Sequence, residues 1–103
     1  MTRPSISIIT PIYNSGTHIL KTLKELEKVL LDADINFELI LFDDSSTDDT
    51  LQRLKTFTST SQMSKLKVNV ANSGVGHCIL KGIQVAKYDY CMWFLTHGMI
   101  VPE

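Results

Sequence analysis

Phe37-Glu-Leu-Ile-Leu-Phe42 runs directly into Asp43-Asp44-Ser45-Ser46-Thr47-Asp48-Asp49, and this junction decides the fold class. A run that is apolar except for Glu38 suits a strand covered on both faces, as inner strands of parallel sheets are. The sudden change to carboxylates and hydroxyls ends that strand and reads as the start of a helix. Ser46 and Asp49 have capping-box spacing, and acidic residues favour the positive end of a helix dipole. Leu51, Leu54 and Phe57 then give the helix one apolar side.

The same strand-turn-helix unit stands upstream. Ser5-Ile-Ser-Ile-Ile-Thr10 is short and β-branched, and Pro11 stops it as a strand. Pro11 to Gly16 is turn chemistry, and a helical pattern begins at Thr17. Ile19, Leu20, Leu23, Leu26 and Leu30 recur at helical steps, with Lys21, Lys24, Glu25 and Lys28 on the other face. Downstream, Thr58 to Ser64 reads as a polar loop. Leu66 to Val70 alternates like a strand near a sheet edge, and Asn72-Ser73-Gly74 breaks it. Val75, Ile79, Ile83 and Ala86 form a third helical stripe, and Tyr90 to Leu95 a fourth, apolar strand.

The order β-α-β-α-β-α-β predicts an α/β domain: a mostly parallel open sheet with helices on both faces and right-handed crossovers. Ligands in such sheets lie beyond the carboxyl ends of the strands. Thr10 to Gly16, Asp43 to Asp48 and Thr96 to Met99 are the segments expected there. A phospho-receiver domain shares this alternation, but its acidic pair follows the first strand, and here the pair follows the second.

A length of 103 residues suits one small domain, so residues 1–103 are read as a single unit. A net charge of −1 supplies no general attraction to DNA or RNA, and no nucleic-acid partner is expected. Cys78 and Cys91 have neither metal-site spacing nor a disulfide framework, and both read as small buried hydrophobes. No stretch approaches the roughly 20 apolar residues of a membrane span. The first apolar run is too short and β-branched for a signal peptide. These features read as a cytoplasmic chain, peripheral to the inner face of the membrane if other parts of a longer protein attach it.

Four blocks carry a resemblance. Ile9-Thr10-Pro11-Ile12-Tyr13-Asn14 looks like the opening strand and loop of the family-two inverting glycosyltransferases, and Phe42-Asp43-Asp44-Ser45-Ser46-Thr47-Asp48 is similar to the family's Val-Asp-Asp-Gly-Ser-Thr-Asp segment. Asn72-Ser73-Gly74-Val75-Gly76, then Lys81-Gly82-Ile83, Ala86 and Tyr90, fit its third helix. Phe94-Leu95 and Ile100-Val101-Pro102 match the flanks of its metal-binding motif. The resemblance spans nearly the whole chain. It implies a GT-A fold and a domain that binds a nucleotide sugar, commonly UDP-linked, for transfer to a saccharide or lipid-linked acceptor. Pro11 and Tyr13 would line the base and ribose, Asp44 would accept a hydrogen bond from the uracil ring nitrogen, and Asp43 would sit beside it and orient the loop.

Those residue types suit that chemistry. A carboxylate at a strand end can accept an N–H from a base edge, and Tyr13 offers a flat ring with a polar tip. The plainer alternatives stay open: the acidic turn as a helix start, Tyr13 as packing over the first helix, Asn14 as a turn residue.

Three departures from the family pattern stand out. The family's Asp-x-Asp motif holds a divalent cation, Mg2+ or Mn2+, against the diphosphate. The matching stretch here is Thr96-His97-Gly98-Met99, without a carboxylate. Thr96 and His97 are left on the diphosphate side, and no metal ligand is assigned. Where the family often has Ala-Arg-Asn, this chain has Cys78-Ile79-Leu80; Ser45 replaces a usual glycine. The family's later half supplies the acceptor pocket and the base, so residues 1–103 are expected to be a truncated N-terminal half, inactive alone. A non-catalytic binding or partner module on the same fold is the alternative. An uncovered sheet edge would favour homo-oligomers.

Overall fold

β-Branched and large apolar residues dominate Ser5–Ile12 and Asn36–Asp43, and these segments form the inner strands β1 and β2. The computed structural model describes residues 4–69 and 73–94. A single 3-10 turn, Gly16–His18, leads into α1 (Ile19–Asp32). After β2 come α2 (Thr50–Thr60), β3 (Ser64–Val68), α3 (Val75–Val85) and β4 (Tyr90–Trp93). All described pairings are parallel, in the order β3-β2-β1-β4. The expected α/β architecture is therefore present. The strand order reverses between β1 and β4, where ligands bind in open sheets of this kind.

Two cores clamp the sheet. On one face Ile8, Ile12, Leu39 and Leu41 meet Leu23 of α1 and Leu54 and Phe57 of α2. On the other, Ile9, Ile40 and Phe42 meet Cys78 of α3. The period-two alternation of β1 and β2 divides their apolar residues between these layers.

Several local expectations need correction. α2 begins at Thr50, and no Ser46–Asp49 capping box forms, because Ser46 and Thr47 bond to Asn14 instead. Asp48 takes the capping work, its carboxylate accepting the Thr50 N–H at 2.9 Å. α2 also runs into the stretch read as a loop, and β3 starts two residues before Leu66. There the Met63 carbonyl accepts the Leu39 N–H, so pairing with β2 sets the start. Val70 and Asn72 lie outside the described residues.

α3 packs through Cys78 and Gly82 rather than through the Val75–Ile83 stripe, most of which is exposed. A Cβ at Gly82 would fall 2.6 Å from Cγ1 and Cγ2 of Ile9, so only glycine fits against β1 there. Cys91 is exposed rather than buried, because nothing among the described residues covers β4 there.

Candidate functional site

The loops leaving β1 and β2 are sewn together. The Asp44 N–H donates to the Ile12 carbonyl at 2.8 Å, extending the strand pairing by one residue. Asn14, at φ 48°, turns back over the acidic segment. Its N–H donates to Ser46 Oγ at 3.0 Å, its Oδ1 accepts the Thr47 N–H at 2.7 Å, and its Nδ2 donates to Thr47 Oγ1 at 3.2 Å. The Gly16 N–H donates to Thr50 Oγ1 at 2.9 Å, which fixes α2's first turn to the same loop. The Pro11–Tyr13 loop and the acidic turn are thus neighbours at the carboxyl end of the sheet. Pro11 is buried, while Tyr13 is 43% exposed and presents its ring to solvent.

The two aspartates leave β2 toward opposite faces. Asp43 points to the α1–α2 side, with Oδ2 accepting the Ser46 N–H at 3.2 Å. Its Oδ1 is buried with no hydrogen-bond partner among the described residues, as is Thr10 Oγ1 at the end of β1. Buried orphan acceptors are the groups that ligands or ordered waters satisfy.

Asp44 points to the α3 side. Its carboxylate accepts Asn69 Nδ2 at 2.9 Å, the Ser73 N–H at 2.9 Å and the Gly74 N–H at 2.8 Å. Burial works against its charge. The Ser73 N–H, the Asn69 amide and the Gly74 N–H outweigh burial, with a further attraction from His77, and hold the carboxyl below its ordinary range. Asp44 thus occupies the amino end of α3, where helix geometry favours an anion. Burial pushes the neighbouring Cys78 thiol up, and the Asp44 charge adds to it.

Thr96 and His97 lie outside the described residues. Their donor set, a hydroxyl and an imidazole, does not fit a hard cation such as Mg2+, which takes oxygen ligands. Among the described residues no three His, Cys, Asp or Glu side chains gather to hold a metal.

A second polar cluster sits at the opposite end of the sheet. Glu38 accepts Ser7 Oγ at 2.6 Å and the Lys87 N–H, and pairs with Lys65 Nζ at 3.0 Å. Burial opposes its charge, but the Ser7 hydroxyl, the Lys87 N–H and Lys65 together hold its carboxyl below its ordinary range. A cavity of about 410 Å³ opens beside Glu38, Lys65 and Tyr88. Glu38 is already satisfied by its neighbours, and the cavity lies away from the carboxyl ends, so it is not the candidate site.

Sequence reasoning left Asn14 open and missed Asn69. Both are asparagines just beyond strand ends, where a short amide reaches across a gap: Asn14 to the Thr47 backbone, Asn69 to the Asp44 carboxylate. It also missed the partners of Glu38, although a lone charge in an apolar strand signals a need for them.

The family profile described as glycosyl transferase family 2 matches residues 7–98. GlyG, a glycosyltransferase of Streptococcus pneumoniae serotype 4, is 31% identical over 85 residues, which cover 82% of this chain and 27% of GlyG. A fragment of S. aureus TarS, solved in complex with UDP, superposes with a TM-score of 0.72 at 26% identity, covering 89% of this chain and 27% of that one. The Pyrobaculum calidifontis mannosyltransferase PcManGT, solved in complex with GDP-Man and Mn2+, gives a TM-score of 0.70 over 84% of this chain and 25% of its own. At 22% identity, PcManGT attests the fold alone. The chain spans between 24% and 40% of the length of the curated relatives it matches. No helix among the described residues is long and apolar enough to cross a membrane. With nearly the whole chain matched by the family profile and the sheet superposing on GT-A enzymes, this chain belongs to glycosyl transferase family 2 and has the GT-A fold.

Proposed function

We propose that residues 1–103 form the nucleotide-binding N-terminal unit of a glycosyltransferase. The unit takes a nucleotide sugar, UDP-linked, for transfer to a saccharide or lipid-linked acceptor at the cytoplasmic side of a membrane. The single observation that carries this reading is the stitching of the Pro11–Tyr13 loop to the acidic turn through Asn14. It holds the loop that carries the half-exposed Tyr13 against the turn that carries Asp43 and Asp44, at the carboxyl end of the sheet. In this reading Tyr13 and Pro11 line the nucleoside, Asp44 accepts the ring N–H of uracil, and Asp43 holds the turn through Ser46. A base edge reaching Asp44, which is 4% exposed, displaces the Ser73–Gly74 segment from it. By sequence position alone, the reading assigns Thr96 and His97 to the diphosphate side.

Inverting transfer needs a base to deprotonate the acceptor hydroxyl. The proposal assigns no residue of this chain to that task, and transfer by residues 1–103 alone is not expected. The second reading, a non-catalytic binding or partner module, is favoured by one observation: Thr96-His97-Gly98-Met99 holds no carboxylate for a metal.

Calorimetry with UDP, UDP-sugars and GDP, with and without Mn2+, tests both readings. Uridine-selective binding indifferent to Mn2+ supports a nucleotide site without the family's metal. Binding strengthened by Mn2+ supports the enzyme reading and overturns the donor-set argument. No binding of any nucleotide overturns the proposal and leaves the partner-module reading. Asp44→Ala should weaken UDP binding at least tenfold; unchanged affinity would remove Asp44 from the site.

A further inference from the structure

The buried carboxylate of Asp44 is held from two directions. The Ser73 and Gly74 N–H groups reach it from the loop that opens α3, at 2.9 and 2.8 Å. Asn69 reaches it from the end of β3, its Nδ2 donating at 2.9 Å. The donors are divided unequally between the two oxygens. Oδ1 accepts both Asn69 Nδ2 and the Ser73 N–H, whereas the Gly74 N–H goes to Oδ2.

Asn69 is fixed at both its backbone and its side chain. Its N–H donates to the Asp43 carbonyl at 2.9 Å, which carries the β2–β3 pairing one residue past Val68. Its Nδ2 also donates to Sγ of the buried Cys78 at 3.4 Å. Only the NH2 end of an amide can face a carboxylate, and here that end serves Asp44 and Cys78 together. The amide cannot turn without losing both partners. In the strand order β3-β2-β1-β4, Asn69 draws Oδ1 toward β3, on the far side of β2 from the Pro11–Tyr13 loop. A ligand that moves the Ser73–Gly74 segment aside leaves this contact standing.

How many carboxylate oxygens face a base decides which base fits. Uracil offers one ring N–H between two carbonyl oxygens, so a second carboxylate oxygen turned to its edge meets a carbonyl and is repelled. Guanine offers a ring N–H and an exocyclic amine side by side, and a carboxylate turned squarely to it accepts both. We propose that Asn69 is a specificity-determining residue of the nucleotide site: by holding Oδ1 toward β3 it presents one oxygen of Asp44 to the base, which selects uracil over guanine. The inference rests on the nucleotide-binding reading of this site and adds to it the residue that sets the base. Asn69 acts through Asp44, as a positioning residue, and does not touch the ligand.

Calorimetry with UDP, GDP and IDP on the parent chain, Asn69→Ala and Asn69→Leu tests this. IDP differs from GDP only in lacking the exocyclic amine, so the ratio of their affinities reads the second donor by itself. A general loosening of the site moves both purine nucleotides alike. The parent should bind UDP most tightly and show no preference for GDP over IDP. Asn69→Ala lets Oδ1 turn to the base, and the preference for GDP over IDP should rise about tenfold while the advantage of UDP over GDP shrinks. Asn69→Leu, close in size and without a donor, should do the same, and circular dichroism checks that both variants keep the parent fold. UDP binding with an unchanged GDP-to-IDP ratio in the variants overturns the role of Asn69 and leaves the nucleotide site standing. So does a parent that already prefers GDP over IDP, or the loss of all binding by folded variants. A parent that binds none of the three nucleotides overturns the site itself, and this inference with it.

Discussion

The side chain of Asn14 grips Thr47 across the gap between the first two loops, accepting its N–H at 2.7 Å and donating to its hydroxyl at 3.2 Å. The two residues are 33 positions apart, so this contact joins separate strand-helix units and gives the candidate site its shape. Asn14→Ala removes both bonds and leaves a Cβ-bearing residue in a left-handed conformation that asparagine tolerates better. A loss of about 2 kcal/mol is expected in urea unfolding. Asn14→Gly, which removes the bonds but relieves the backbone, should lose less. Equal stability of the Asn14→Ala chain and the parent would show that other contacts hold the loops.

Gly82 is required by close approach rather than by backbone conformation. Ile9 is fully buried and cannot swing away from a new methyl group. Gly82→Ala should therefore destabilise the chain by about 1–3 kcal/mol, despite alanine's better helix propensity. Gly76→Ala on the same helix meets nothing within 4 Å and should be neutral or stabilising. Thermal melts of the two variants side by side check this, and a stable Gly82→Ala would mean that α3 sits farther from β1.

Ser45 stands at φ 64°, in the left-handed region that glycine adopts freely. Its position explains why glycine suits this turn. Ser45→Gly is expected to stabilise by about 1 kcal/mol, read as a shift in the urea midpoint. An unchanged midpoint would indicate that the serine pays no strain there.

The carboxyls of Glu38, Asp44 and Asp48 are all held below their ordinary range. The unfolded chain therefore binds more protons than the folded one as pH falls, and stability rises with pH across that window. The contribution is complete above the ordinary carboxylate value of about 4 and is lost as pH drops through the lower folded-state values. Glu38→Gln should cost about 1–3 kcal/mol at pH 7, because it discharges a buried acceptor of several bonds. It should also flatten the acid limb of a stability–pH curve, and an unaltered acid limb would assign that limb to other groups.

Part of the candidate site's geometry was legible in advance and part was not. Pro11, Tyr13 and the acidic turn were recognisable because strand ends announce themselves by abrupt changes in residue type. The separation of Asp43 from Asp44 followed only once the end of β2 was known, since alternation turns adjacent side chains to opposite faces. The Ser46 cap was misread because Asn14 competes for the same groups, and that competitor is remote in sequence. The stripe on α3 was misread because helical periodicity finds apolar residues but does not say which flank meets the sheet. A glycine and a cysteine met it, chosen by the proximity of Ile9.

Sequence alone determined the order of strands and helices, the parallel α/β class and the family, because alternation, helical spacing and turn chemistry are local properties read within one segment. Tertiary structure alone decided the pairings: Asn14 with Thr47, Glu38 with Ser7 and Lys65, Asp44 with Asn69 and Gly74, Gly82 with Ile9. Each joins residues from different elements, and their meeting depends on strand order and register. Those are set by how two cores pack on opposite faces of one sheet, a condition that no single stretch of the chain contains.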